Sequence, residues 1–280
     1  SDLAERNFSV EFRHESLRLD FSAAVSDRTA EAGAGRKRFA AAGQRTEAIA
    51  IYDQLRALPG PHQVRAGGLR GAILTRGKEG VPMLVRALRG DDWILVAAAA
   101  RAAMELPAAD VAGPLAAELS ALPENNQILA IQTLGKLGQT AALPAVLTAA
   151  KSGAKPVRLA AVRAIPEIGG GAAVPVLEGL MSDSDREIAL AAQESFAALA
   201  GPEADAAVVA MLKSNDADRQ VAGLDLLSRR RMVKEMPAVL ALAGNPAADG
   251  KVRSSALKRV GELGTPADLP ALLGLLMQAK

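Results

Sequence analysis

The chain has 280 residues, of which 50% are hydrophobic but only 2% aromatic, and its 33 Lys and Arg against 31 Asp and Glu leave a net charge of +2. So few aromatic rings argue against an aromatic-lined cofactor pocket or a base-stacking platform, and so balanced a charge against the clustered basic excess of a nucleic-acid binder. Cysteine is absent, which excludes disulfides, thiol catalysis and cysteine-ligated metals.

From the N-terminus, Phe8, Val10, Phe12 and His14 alternate with polar residues, and Leu17, Leu19 and Phe21 do so again. Two short strands or an extended arm over residues 1–27 are expected, with a helix through Phe8, Phe12 and Leu19 as the alternative. The opening Ser1-Asp2-Leu3-Ala4-Glu5-Arg6 has no apolar core behind it and no initiator Met, so a trimmed or processed fragment is expected and no compartment is assigned. Thr29 to Ala42 reads as a helix interrupted by Gly33 and Gly35, and Gln44 to Leu58 as the first helix of an opening pair. No run of 18 or more apolar residues occurs; the run Ile94 to Ala100 is stopped by Arg101, so no membrane insertion is expected.

From Val81 onward a fixed period appears. Val81-Pro82, Leu143-Pro144, Val174-Pro175 and Met236-Pro237 place prolines at steps of 62, 31 and 62 residues, and Leu269-Pro270 follows after 33. The period is 31 residues. A second register supports it: Gly68, Ala99, Ala130, Ala161, Ala192, Gly223 and Ala256 are all small. Four residues after them stand Ala72, Ala103, Leu134, Ile165, Phe196, Leu227 and Val260, all apolar, and after seven stand Thr75, Leu106, Leu137, Ile168, Leu199, Arg230 and Leu263. Spacings of i, i+4 and i+7 put each set on one helical face, and a small residue in every copy lets two helices approach closely. Asp92, Asp185, Asp216 and Asp249 recur seven residues before the small position, where an N-cap carboxylate belongs, and Pro61 and Pro123 occupy that slot in two other copies. Gly138, Gly169 and Gly264 stand where a left-handed residue closes a helix. Each repeat therefore reads as a first helix opening on proline, a turn, and a second helix carrying the small residue. Leu269 to Ala279 is a first helix lacking its partner, which leaves open whether the array continues past residue 280.

Val157-Arg158-Leu159-Ala160-Ala161-Val162-Arg163-Ala164-Ile165 and Val252 to Gly264, with the Asp before and the Gly after, resemble the second helix of a HEAT repeat. The resemblance covers roughly 44–280 and implies an all-α, right-handed α-solenoid of HEAT-type helix pairs: about six full pairs plus flanking helices over 28–280, behind the arm. The Ala-rich texture is similar to long HEAT arrays of bacterial multidomain proteins, planctomycete-type ones included, where carbohydrate- or haem-associated domains accompany the array; none of those is visible in this sequence. HEAT-like deoxyhypusine hydroxylases hold two irons with several His-Glu pairs, whereas His14-Glu15 is the sole such dipeptide among the 2 histidines present. His62 beside Pro61 fits a helix-start turn. HEAT-like phycobilin lyases offer no residue here that could be assigned to a bilin.

No P-loop, nucleophile elbow or His-Glu-x-x-His helix is present, Gly169-Gly170-Gly171 falls at an inter-helix turn, and no cofactor is expected. Two residues after each small position a polar row reads Arg70, Arg101, Gln132, Arg163, Glu194, Asp225 and Lys258. One turn further stand Leu74, Glu105, Lys136, Glu167, Ala198, Arg229 and Glu262, offering i, i+4 pairs such as Arg101–Glu105 and Arg163–Glu167. In HEAT-like solenoids the second helices line the concave side, so the resemblance implies a groove that is basic in its N-terminal half and acidic near Glu194 and Asp225. Arg229, Arg230, Arg231 and Lys234 form the one dense basic run, and because Arg230 interrupts the apolar row, a looser or hydrated junction is expected there. Trp93 opens a second helix as either an edge anchor for a partner or a packing residue. The function expected is a non-catalytic interaction scaffold, its groove open to a protein or peptide or to a neighbouring domain of the same polypeptide. The alternative is a HEAT-like nucleic-acid-binding protein or DNA glycosylase, whose basic, aromatic-bearing face the mixed-sign row does not match.

Overall fold

The structure, a computed structural model, describes residues 45–59 and 61–278, and all its regular elements are helices and short turns of tighter helix. The arm expected over 1–27, the helix Thr29 to Ala42 and His14 lie outside the described residues. In chain order the first helices are α1 (Arg45–Ala57), α3 (Val81–Leu88), α5 (Ala108–Glu118), α7 (Leu143–Ser152), α9 (Val174–Leu180), α11 (Pro202–Leu212), α13 (Met236–Gly244) and α15 (Leu269–Gln278). The second helices, each following its first, are α2 (His62–Arg76), α4 (Trp93–Ala103), α6 (Glu124–Leu137), α8 (Lys155–Ile168), α10 (Arg186–Ala198), α12 (Ala217–Arg229) and α14 (Gly250–Leu263). Seven pairs are thus described, and α15 stands without a described second helix. No single helix among the described residues is long and apolar enough to cross a membrane.

The helix ends follow their residues. Prolines 82, 144, 175 and 237 sit in the first turn of α3, α7, α9 and α13, each behind a short tight turn, where a missing N–H costs no hydrogen bond. Asp92, Asp185, Asp216 and Asp249 cap α4, α10, α12 and α14, accepting backbone N–H groups of their own first turns at 2.8–3.4 Å. Gly138 and Gly169 close α6 and α8 with φ of 62° and 76°, as expected. Gly264 does not: its φ of −60° and ψ of 144° send the chain straight into an extended turn, so no left-handed residue is used there. Arg231 takes that role after α12, with φ 53°, the one non-glycine residue with positive φ among those described.

The chain divides into two compact units, one ending at Pro114 and the other beginning at Leu115. In the first, α1 packs on α2, α3 on α4, and α2 on α4. In the second, α7, α9, α11 and α13 pack on α8, α10, α12 and α14, and the second helices stack side by side: α6 on α8, α8 on α10, α12 on α14. The small row makes this possible. Ala99, Ala130, Ala161, Ala192 and Ala256 have no exposed surface, and the apolar row four residues on is buried from Ala72 to Val260. A Cβ at Gly68 would lie 2.6 Å from the Arg56 nitrogen, and one at Gly223 2.8 Å from Met211 Cβ, so α1 and α2, and α11 and α12, meet almost backbone to backbone.

The α10–α12 junction is the thinnest of the second-helix contacts in that unit. That sparse packing agrees with the looser junction expected around Arg230, and the Arg230 side chain spans it. The side chain of Arg230 is only 9% exposed. Its guanidinium donates to the carbonyls of Phe196, Ala197 and Leu199 at 3.1, 3.2 and 2.6 Å, and to Asp205 at 2.9 and 2.6 Å. A five-donor group thereby serves the carbonyls at the end of α10, of which that of Phe196 also accepts the Leu199 N–H, and ties α12 to both α10 and α11.

Candidate binding face of the second helices

In each unit the second helices turn their small and apolar residues toward the first helices, which leaves the polar row on the opposite, exposed side. Arg101, Gln132, Arg163, Glu194 and Lys258 are exposed there. None of the five side chains makes a hydrogen bond or ion pair among the described residues. Arg70 and Asp225 differ. Arg70 donates two hydrogen bonds to the carboxylate of Glu105, in the turn that follows the neighbouring second helix α4, at 2.7 and 2.8 Å. Asp225 accepts from Gln193 and Arg229 at 2.6 Å each and lies 3.6 Å from Arg259.

Of the pairs expected along one helix, Arg101–Glu105 and Arg163–Glu167 do not form, whereas Asp225–Arg229 does. Glu105 turns to Arg70 instead of Arg101, because a bidentate guanidinium across the helix junction outcompetes a side chain one turn away. Glu167 leans toward α6 over the space left by Gly135, where an added Cβ would come within 2.9 Å of its Oε2, and so leaves Arg163 alone. The acidic stretch also contracts. With Asp225 held by Gln193, Arg229 and Arg259, the unpaired acid of the row is Glu194.

Around Asp225 the polar side chains serve the fold. Glu262 accepts from Ser228 at 2.7 Å and Arg259 at 2.6 Å, and the Ser228 hydroxyl first, then Arg259, holds its carboxyl below the ordinary range. The basic run separates in the same way: Arg229 is engaged with Asp225, Arg230 is the buried clamp, and Arg231 and Lys234 are exposed. Trp93 is 55% exposed at the start of α4, beside Ile94 at 39%, and His62 Nδ1 lies 3.0 Å from the capping carboxylate of Asp92.

Two features were not found in the sequence. One is a set of donors reaching back to the end of the preceding first-helix segment: Gln127 to the Leu122 carbonyl at 2.9 Å, Arg158 to Ala150 at 3.0 Å and Gln220 to Leu212 at 3.2 Å. Their common place three residues before the small position was the available signal. Arg158 also pairs with Asp183 of the next repeat. The other is an apolar row one turn before the polar one in the second unit. Ile128 and Val221 are half-buried, Leu159 is buried, and Leu190 is 48% exposed. Each lies four residues before Gln132, Asp225, Arg163 and Glu194 respectively, hence on the same helix side one turn away.

A family model described as HEAT repeats matches residues 112–197 and 149–228. The described residues in that span therefore form HEAT-type helix pairs, the architecture expected from the 31-residue period. Among solved structures, human deoxyhypusine hydroxylase in complex with glycerol is 17% identical, with 87% of this chain and 94% of that chain covered at a TM-score of 0.40. YibA of E. coli is 16% identical over 81% and 90%, again at 0.40. The complex of CpcE and CpcF of phycocyanin lyase from Nostoc sp. PCC7120 is 19% identical over 84% and 94%, also at 0.40. No curated protein matches the chain.

Proposed function

We propose that this HEAT-repeat chain is a non-catalytic scaffold that offers the exposed face of its second helices to a protein or peptide, or to a neighbouring domain of the same polypeptide. The observation that carries this reading is the set of exposed side chains in register, Gln132, Arg163 and Glu194 on consecutive helices, which hold nothing in the fold together. Charged side chains left unpaired at regular intervals are available to a ligand at no cost to the helices beneath them. Stacked repeats commonly present such extended surfaces to partners. The mixed signs of the row favour a polypeptide over a polyanion, which would call for cations throughout.

A displayed random-peptide library selected on the intact chain tests this. The enriched peptides should bind the wild-type chain, and Gln132→Ala with Arg163→Glu should weaken them at least fivefold while the helical circular dichroism stays unchanged. Enriched peptides indifferent to both substitutions would defeat the reading. So would tight duplex-DNA binding that falls steeply with salt, which would point to the nucleic-acid alternative.

A further inference from the structure

The face of α6, α8 and α10 carries two parallel rows with the same step. Ile128, Leu159 and Leu190 form an apolar row, and Gln132, Arg163 and Glu194 a polar row one helical turn, or about 6 Å, away. Both rows advance one helix at a time, and packed helices stand about 8–10 Å apart. A polyproline-type chain rises about 3.1 Å per residue with three residues per turn, so its side chains return to one face every ~9.3 Å. That repeat matches the helix spacing. One face of such a ligand could follow the apolar row while the adjacent face follows the polar row.

The charges select further. Arg163 is unpaired, with Lys136 exposed on the adjacent helix and Glu167 leaning away over Gly135. Glu194 on the next helix is unpaired, and its neighbour one turn on is Ala198. Leu190, 48% exposed in front of Glu194, is the most accessible apolar group of the row.

Resting on the scaffold reading above, we propose that this face takes an extended, polyproline-like peptide with an apolar residue at every third position, an acidic residue facing Arg163 and a basic residue three positions away facing Glu194. The fixed separation of the two charges gives specificity, and Leu190, with half-buried Ile128, gives the apolar burial that holds the segment, Leu159 between them being already buried.

The test uses fluorescein-labelled heptapeptides and anisotropy at low salt on the full chain. The probe Leu-Asp-Pro-Leu-Arg-Pro-Leu carries the proposed pattern; two like-charged probes replace Arg by Asp or Asp by Arg, and a fourth sets the charges two residues apart. An exposed ion pair is worth up to ~1 kcal/mol, about fivefold, so exchanging one attraction for a repulsion should cost about five- to tenfold. The mixed-charge probe should bind that much more tightly than the other three. Glu194→Arg should transfer the preference to the Asp/Asp probe, and Arg163→Glu to the Arg/Arg probe. Leu190→Asp should weaken all four. These positions are exposed, so the variants retain their helical signal. Equal binding of all probes, or of the mis-spaced one, would overturn the proposal while leaving a peptide-binding face intact. If no probe binds, the proposal falls, whereas the scaffold reading stands or falls on its own test with library-selected peptides, Gln132→Ala and Arg163→Glu, and duplex DNA.

Discussion

Replacing Arg230 by Ala tests whether a charged residue in an apolar row weakens the array or holds it. In five other repeats the same position is Leu or Ile, so packing alone would make Arg the inferior choice. The structure gives Arg230 five contacts from one guanidinium. The Asp205 arm is 51% exposed and screened, and contributes up to about 1 kcal/mol. The carbonyls of Phe196, Ala197 and Leu199 belong to a part-buried helix end, where hydrogen bonds to a charged donor are worth about 1.5–3 kcal/mol and unmade ones are costly. Arg230→Ala should therefore cost about 2–4 kcal/mol. Arg230→Lys, a point charge that cannot serve both the carbonyls and the carboxylate, should lie between. Urea unfolding followed by circular dichroism measures the total, and amide exchange at the end of α10 localises it. A loss below about 0.5 kcal/mol, or unchanged protection of those amides, would refute the clamp.

Three further outcomes follow from the same physics. Ala161→Leu or Ala192→Leu forces a branched side chain into a site with no free surface and should cost about 1–3 kcal/mol in thermal or urea unfolding; unchanged stability would show that the small row does not set the helix spacing. Arg231→Gly should stabilise the chain by roughly 0.5–1 kcal/mol, since φ of 53° is strained for a residue with a Cβ, and a lowered melting temperature would assign the side chain a structural task. The Asp185 backbone N–H first, then the Arg158 guanidinium, holds the carboxyl of Asp183 below its ordinary value. A lowered carboxyl pKa adds stability that is present above the unfolded-state pKa and disappears as pH falls through the folded one. Arg158→Gln should thus raise the Asp183 pKa in a carboxylate NMR titration and move acid unfolding to higher pH; an unmoved titration would mean that the backbone N–H alone sets it.

The sequence by itself determined the architecture, because the architecture is local and repeated. Asp at an N-cap, Pro in a first turn and Ala at the closest approach of two helices each act within one or two turns, and the 31-residue step repeats the same evidence. What depended on the neighbouring repeat was not legible. Glu105 chose Arg70 over Arg101, Arg230 reached back to α10, and Asp225 took a hydrogen bond from Gln193 of α10 and a cation, Arg259, from α14, all across separations of about 30 residues. Side chains four residues apart in sequence are certain to be neighbours on a helix, but a partner across a helix junction depends on interhelical distance and angle. Those are tertiary quantities. They decided which charges of the row are spent on the fold and left Arg163 and Glu194 exposed beside an apolar row.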